Sequence, residues 1–141
     1  MRAFIGFVRR PPGERLLIVH VMLALMIAAI GVALLPFRWL AWFAARPGAG
    51  RVAAGPDQAI RIARVIESCA ARSPLRAKCF EQGLVAVWLL RRAGYSATLH
   101  YGVARMDDKV VAHVWVLSGD QPVVGCANRH AFAELARFPT T

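Results

Sequence analysis

Two side chains in this 141-residue chain could do nucleophilic chemistry if the fold brings them together. Cys79 stands at the predicted start of a helix, and His113 lies downstream in the strand-like run Val110-Val111-Ala112-His113-Val114-Trp115-Val116. A thiol becomes a strong nucleophile when an imidazole takes its proton, so the pair is the minimum for covalent acyl chemistry. The free N–H groups and the positive dipole end of a first helical turn favour the thiolate, and Arg76 and Lys78 add positive charge nearby in the sequence. Taken singly, each residue has a plainer explanation. Free cysteine is among the most often buried residue types, and a histidine in an apolar strand is commonly a hydrogen-bonded core residue. It is the combination and its order that point to chemistry.

The elements that must position the pair follow from hydrophobic period. Asp57 reads as an N-cap, and Ala59, Ile60, Ile62, Ala63, Val65 and Ile66 give a helical apolar face to about Cys69. Ser73-Pro74 breaks that helix. Phe80, Leu84, Val87, Trp88 and Arg91 then recur at steps of three and four, with Gly94 at the position of a left-handed cap. Gly83, one turn after Cys79, suits close packing. Beyond Gly94 the period falls to two: Ala97, Leu99 and Tyr101 alternate with Ser96, Thr98 and His100. A charged turn from Arg105 to Lys109 leads to Val110 to Leu117, Gly119-Asp120 turns again, and Pro122 to Val124 begins a third strand. The tail from Arg129 to Phe138 reads as a helix. Helices followed by a short antiparallel meander make an α+β fold with an apolar N-terminal helical segment. His100 and His130 have no partner spacing and receive no role. No repeat and no phosphate-binding glycine loop occurs.

The first third is more apolar than one small core needs. Leu16 to Leu35 reads LLIVHVMLALMIAAIGVALL, with His20 its only ionisable side chain. About 20 residues at about 1.5 Å each span about 30 Å, the thickness of a bilayer's hydrocarbon. Trp39, Trp42 and Phe43 follow Pro36 like an interfacial aromatic belt, and Leu-Leu-Pro-Phe-Arg is a poor signal-peptide cleavage site. Residues 16–35 therefore cross a membrane, lie on it or pack on the domain; arginines flank both ends and leave orientation open. Arg46 to Gly50 reads as a linker, dividing residues 1–50, the apolar N-terminal helical segment, from residues 51–141, the domain carrying Cys79 and His113.

The net charge of +10 suits an anionic membrane surface or an acidic peptide. Nucleic acid is the weakest of the basic-protein readings, because the arginines are scattered and no nucleic-acid motif is present. Three cysteines without a C-x-x-C pair argue against a zinc site and against a secreted disulfide framework, so a reducing cytoplasm is the expected setting.

A helix-start cysteine followed by a strand pair carrying His-x-Trp is the chain order of the transglutaminase-like and papain-like folds. Lys78-Cys79-Phe80, Leu-Leu-Arg-Arg-Ala-Gly-Tyr at 89 to 95, Tyr101-Gly102-Val103-Ala104 and His113-Val114-Trp115-Val116 together resemble the lasso-peptide maturation proteases, the microcin-processing branch of the transglutaminase-like superfamily. The segments from Arg10 to Leu17 and from Leu34 to Arg38 resemble that family's leading region, so the likeness covers nearly the whole chain. The resemblance implies a cysteine peptidase that removes the leader from a ribosomally made lasso-peptide precursor. It also implies two partners, a separate leader-recognition protein and a macrolactam cyclase, and no metal or organic cofactor; the cysteine usage and residues 16–35 together make the cytoplasmic side of a membrane the expected place. Cys79 would attack the scissile carbonyl and His113 would move the proton, with the Cys79 backbone N–H helping at the oxyanion.

The family's third residue, an Asp, falls here on Gly125, which has no side chain to orient an imidazole. Asp120, Cys126 and Asn128 are the nearby replacements. Cys126 would face His113 if the intervening turn has two residues. Asn128 is preferred, since an amide accepts from an imidazole N–H as a carboxylate does; its plainer role, like that of Asp120, is loop capping. Trp115 shares a sheet face with His113. Two other readings compete: a non-catalytic transglutaminase-like module that binds a leader peptide or partner protein, and a small membrane protein whose lobe scaffolds others.

Overall fold

The computed structural model describes residues 9, 11–46, 52–74 and 78–139. Its elements are α1 (Pro12–Leu34), α2 (Phe37–Ala45), α3 (Pro56–Arg72), α4 (Cys79–Arg92), β1 (Thr98–Met106), β2 (Lys109–Ser118), β3 (Gln121–Val124), a 3-10 turn (Arg129–Ala131) and β4 (Ala133–Phe138). This is an α+β fold, with an apolar N-terminal helix and further helices followed by a short antiparallel sheet. The expected linker after Arg46, with the boundary between residues 50 and 51, lies outside the described residues.

Local chemistry sets the helix ends. Pro12 opens α1 where a missing N–H costs nothing, and α1 stops at Leu35, extended ahead of Pro36. In α3 the N-cap is Gly55 with Pro56 at the first turn, and Asp57, expected as the cap, sits inside that turn without a capping hydrogen bond. Proline's fixed φ starts the helix before Asp57 is reached, leaving its carboxylate to act on the dipole alone. Helix α4 ends in a Schellman motif: Gly94 has φ +87°, and Tyr95 N–H and Gly94 N–H donate to Leu90 O (2.8 Å) and Arg91 O (3.1 Å).

Asp107 and Asp108, both at positive φ, form the two-residue turn that joins β1 to β2 in unbroken register from Thr98↔Leu117 to Met106↔Lys109. The sheet has four strands in the order β3-β2-β1-β4. This corrects the tail: residues 129–138 were expected to be a helix, and they form one 3-10 turn and the edge strand β4, antiparallel to β1. The spacing of Phe132, Leu135 and Phe138 fits a helix locally, but a bare β1 edge would leave a row of backbone groups unpaired, and β4 pairs them.

Helix α4 is central, burying Leu84, Val85, Ala86, Val87, Leu89 and Leu90 between the sheet and the other helices. Gly83 makes its approach to the sheet possible, since a Cβ there would lie 2.8 Å from Val114 Cγ1. Helix α1 lies against α3 and α4 and sinks Val21 and Leu25 completely into the core that also holds Ile66, Leu99 and Val116. Its opposite side faces outward. Arg91 ties α2 to α4 by donating to the C-terminal carbonyls of α2, Phe43 O (3.1 Å) and Ala44 O (2.5 Å); burial pushes its guanidinium pKa down. Buried Ser118 is satisfied on both sides, donating to Ser96 O (2.6 Å) and accepting from Ala54 N–H (2.8 Å).

Candidate functional site

Side chains alternate across a strand, so unbroken pairing of β1 and β2 divides their residues between two faces. Leu99, Val114 and Val116 meet Gly83 of α4 and define the helix face. His100, Gly102, His113 and Trp115 therefore point to the far face, where Glu134 of β4 lies opposite Gly102.

The far face is built around Trp115, which is only 5% exposed. Its ring stacks between two imidazoles, His100 at 5.6 Å and 5° and His113 at 6.1 Å and 23°. Gly102 leaves room for it: a Cβ there would come within 2.9 Å of the indole. Phe132 closes on His113 from the loop before β4, with ring centroids 4.8 Å apart. His113 Nε2 is 2.7 Å from Gly125 O. A carbonyl only accepts, so Nε2 carries the proton and Nδ1 of the neutral ring is the basic nitrogen.

Gly125 thus does orient the imidazole, through its backbone. The expectation that a glycine could not hold His113 considered side chains alone. Gly125 has φ +71°, and a Cβ there would sit 2.5 Å from Val114 O, so both conformation and space demand glycine.

The structure also gives His100 a partner that the sequence reading missed. His100 Nδ1 bonds to Glu134, whose second oxygen accepts from Arg137 at 2.6 Å. Partial burial alone would raise the Glu134 pKa; the hydrogen bonds and positive charge of His100 and Arg137 outweigh it and hold the carboxyl below its usual range. The pairing becomes visible only once the tail is a strand in register with β1.

Cys79 is the first residue of α4, half-buried, with Lys78 as an extended N-cap. Its neighbour Phe80 meets Phe37 at 5.8 Å, and Phe37 in turn meets Tyr101 (5.9 Å) and Phe138 (6.5 Å). This aromatic cluster belongs to the helix face. Cys79 packs against the core on the helix face, His113 projects from the far face of β2, and no hydrogen bond joins them among the described residues.

Asn128 is exposed; its backbone carbonyl accepts from Ala131 N–H at 3.1 Å to open the 3-10 turn, and its side chain makes no hydrogen bond among the described residues. Asp120 is exposed in the Gly119-Asp120 turn. That turn has two residues, yet the Cys126 thiol donates to backbone, to Val124 O (3.3 Å) and Val116 O (3.4 Å), and not to His113. Burial pushes the Cys126 pKa up, offset only in part by its backbone hydrogen bonds and by Arg129. No cluster of three or more His, Cys, Asp or Glu able to hold a metal occurs among the described residues.

Chemically, then, the far face offers an aromatic shelf with an imidazole acceptor at one end and a His–Glu–Arg network at the other. The helix face offers a thiol at a helix N-terminus. No curated protein and no solved structure matches the chain significantly. The family model described as transglutaminase-like superfamily matches residues 22–137, from α1 through β4, and the chain belongs to that superfamily.

Proposed function

We propose that this protein is a non-catalytic transglutaminase-like module that binds the leader segment of a ribosomally made lasso-peptide precursor, on the cytoplasmic side of a membrane. The observation that carries this reading is that Cys79 packs with the core on the helix face while His113 projects from the far face of β2, with no hydrogen bond between them among the described residues. Acyl transfer needs the thiol and its base within hydrogen-bond reach. The basic chain suits an acidic peptide, and three cysteines with no C-x-x-C pair suit a reducing compartment. The motif likeness to lasso-peptide maturation proteins supplies the peptide class and the two partners, a separate leader-recognition protein and a macrolactam cyclase.

A second reading retains the cysteine leader peptidase, with Cys79 as nucleophile and His113 as base. Two observations favour it: Cys79 occupies the positive end of α4, and the Gly125 carbonyl leaves His113 Nδ1 as the proton acceptor a thiol requires. In this reading the Gly125 carbonyl takes the orienting part first given to Asn128, and the N-terminus of α4 must move relative to β2.

One experiment separates the two: mass spectrometry of a lasso-peptide precursor incubated with the protein and a leader-recognition partner. The binding module leaves the peptide intact and bound, equally with wild type and Cys79→Ala. Leader release by wild type and not by Cys79→Ala would establish the peptidase instead. Thiol alkylation gives a second check, because selective rapid labelling of Cys79 at neutral pH would count against the non-catalytic reading.

A further inference from the structure

From Leu16 onward helix α1 carries His20 as its only ionisable side chain, and the core uses only one of its sides. Val21 and Leu25 are fully buried, while Leu16, Val19, Leu23, Ile27, Ile30 and Leu34, spaced three and four apart, form one stripe down the outward face. Leu23 is 52% exposed and Ile27 69%. Exposed Trp39 and Trp42 of α2 continue this surface, meeting edge to face at 6.5 Å. A groove of about 620 Å³ runs between the α1–α2 hairpin and α4, lined almost wholly by apolar side chains.

The charge around this surface has one sign. The chain has no Asp or Glu between Glu14 and Asp57, whereas Arg15, Arg38, Arg46 and Arg51 fall in that stretch. Two arginines stack on tryptophans that line the groove: Arg46 lies over Trp42 at 4.7 Å and Arg92, itself a lining residue, over Trp88 at 5.3 Å. Neither has an acidic partner among the described residues. Arg91 beside them spends its donors on α2.

We infer that the α1–α2 hairpin docks in the plane of an anionic phospholipid bilayer, with the outward stripe against acyl chains and Arg46 and Arg92 at the headgroup phosphates. An apolar surface rimmed by arginines and interfacial tryptophans complements a layer of anionic amphiphiles. A spanning helix is apolar enough on length and composition, since Pro12–Leu34 is the one such helix among the described residues. Crossing would nevertheless strip Val21 and Leu25 from the core, because both lie on the face packed against α3 and α4. The helix therefore lies on the membrane and carries the domain with it. This inference is independent of whether Cys79 is catalytic.

Flotation of the full chain with vesicles of phosphatidylcholine alone, or mixed with phosphatidylglycerol, tests the idea. Binding is expected only to the mixed vesicles and should weaken as salt is raised. Leu23→Gln and Ile27→Gln, both at exposed positions that the fold does not use, should each weaken binding about tenfold. Arg46→Gln with Arg92→Gln should remove the preference for anionic lipid while leaving the melting temperature unchanged. A nitroxide on Leu23→Cys, in a variant without other cysteines, should sit as shallow as one on Ile30→Cys. Failure to float with either vesicle would overturn the proposal in favour of a protein or peptide partner on this face. Charge-independent binding with the label on Leu23→Cys near the bilayer centre would overturn it in favour of a spanning helix.

Discussion

On one side of β1 and β2, Leu99, Val114 and Val116 press on α4; on the other, His100, Trp115 and His113 stack in a row under Phe132. The residues are neighbours in sequence and differ only in parity. The helix face is dry and tight enough to require Gly83, whereas the far face is polar, networked through Glu134, and borders the surface. The contrast teaches that a cysteine and a histidine in the right chain order make a site only if they also share a face. Here Cys79 goes with the packed side and His113 with the networked side.

Substitutions can break this contrast, and the largest effect belongs to the helix face. Leu99→Ala should cost about 2–5 kcal/mol of stability in urea unfolding, because Leu99 is 1% exposed in a close-packed core. Gly83→Val should cost about 1–3 kcal/mol, since its Cβ would meet Val114 and Leu99 and α4 would have to lift from the sheet. A Gly83→Val variant as stable as wild type would mean that the two surfaces are not in contact.

The far face should respond through its backbone and its hydrogen bonds. Gly125→Asp places the family's acid at its expected position, yet should destabilise by about 2–4 kcal/mol and create no peptidase activity, because the strain of φ +71° adds to a Cβ clash with Val114 O. Gain of precursor cleavage by that variant would make the two faces one site after all. Glu134→Gln should cost about 1 kcal/mol or less at neutral pH, since the carboxylate is near the surface. Its pH dependence has a definite sign. The folded pKa of Glu134 lies below the unfolded value of about 4.3, so its contribution is full above that value and disappears as the pH falls through the folded pKa. The stability gap between wild type and Glu134→Gln should therefore close as the buffer is taken below about pH 4.3. Smallest of all, Cys126 should alkylate more slowly at pH 7 than an unperturbed thiol, because burial holds it protonated.

Much of the fold was legible because it is written in local period. Steps of three and four marked α3 and α4, the change to alternation marked β1 and β2, and Gly94 announced the cap it forms. The tail misled because Phe132, Leu135 and Phe138 satisfy a helical period, while the reason for a strand, the free edge of β1, lies far away in the chain. The Gly125 hydrogen bond was hidden for a related reason, since a backbone carbonyl leaves no mark in residue type.

The sequence by itself determined α3, α4, β1 and β2, the apolar character of α1, the positive charge, and the presence of a thiol at a helix start with a histidine in a strand. Tertiary structure decided which face each side chain took, that His100 meets Glu134, and that only half of α1 is spent on the core. Periodicity is a one-dimensional property that any window of residues carries. Facing and partnership depend on strand register and helix docking, which are settled by contacts between segments that no local pattern encodes.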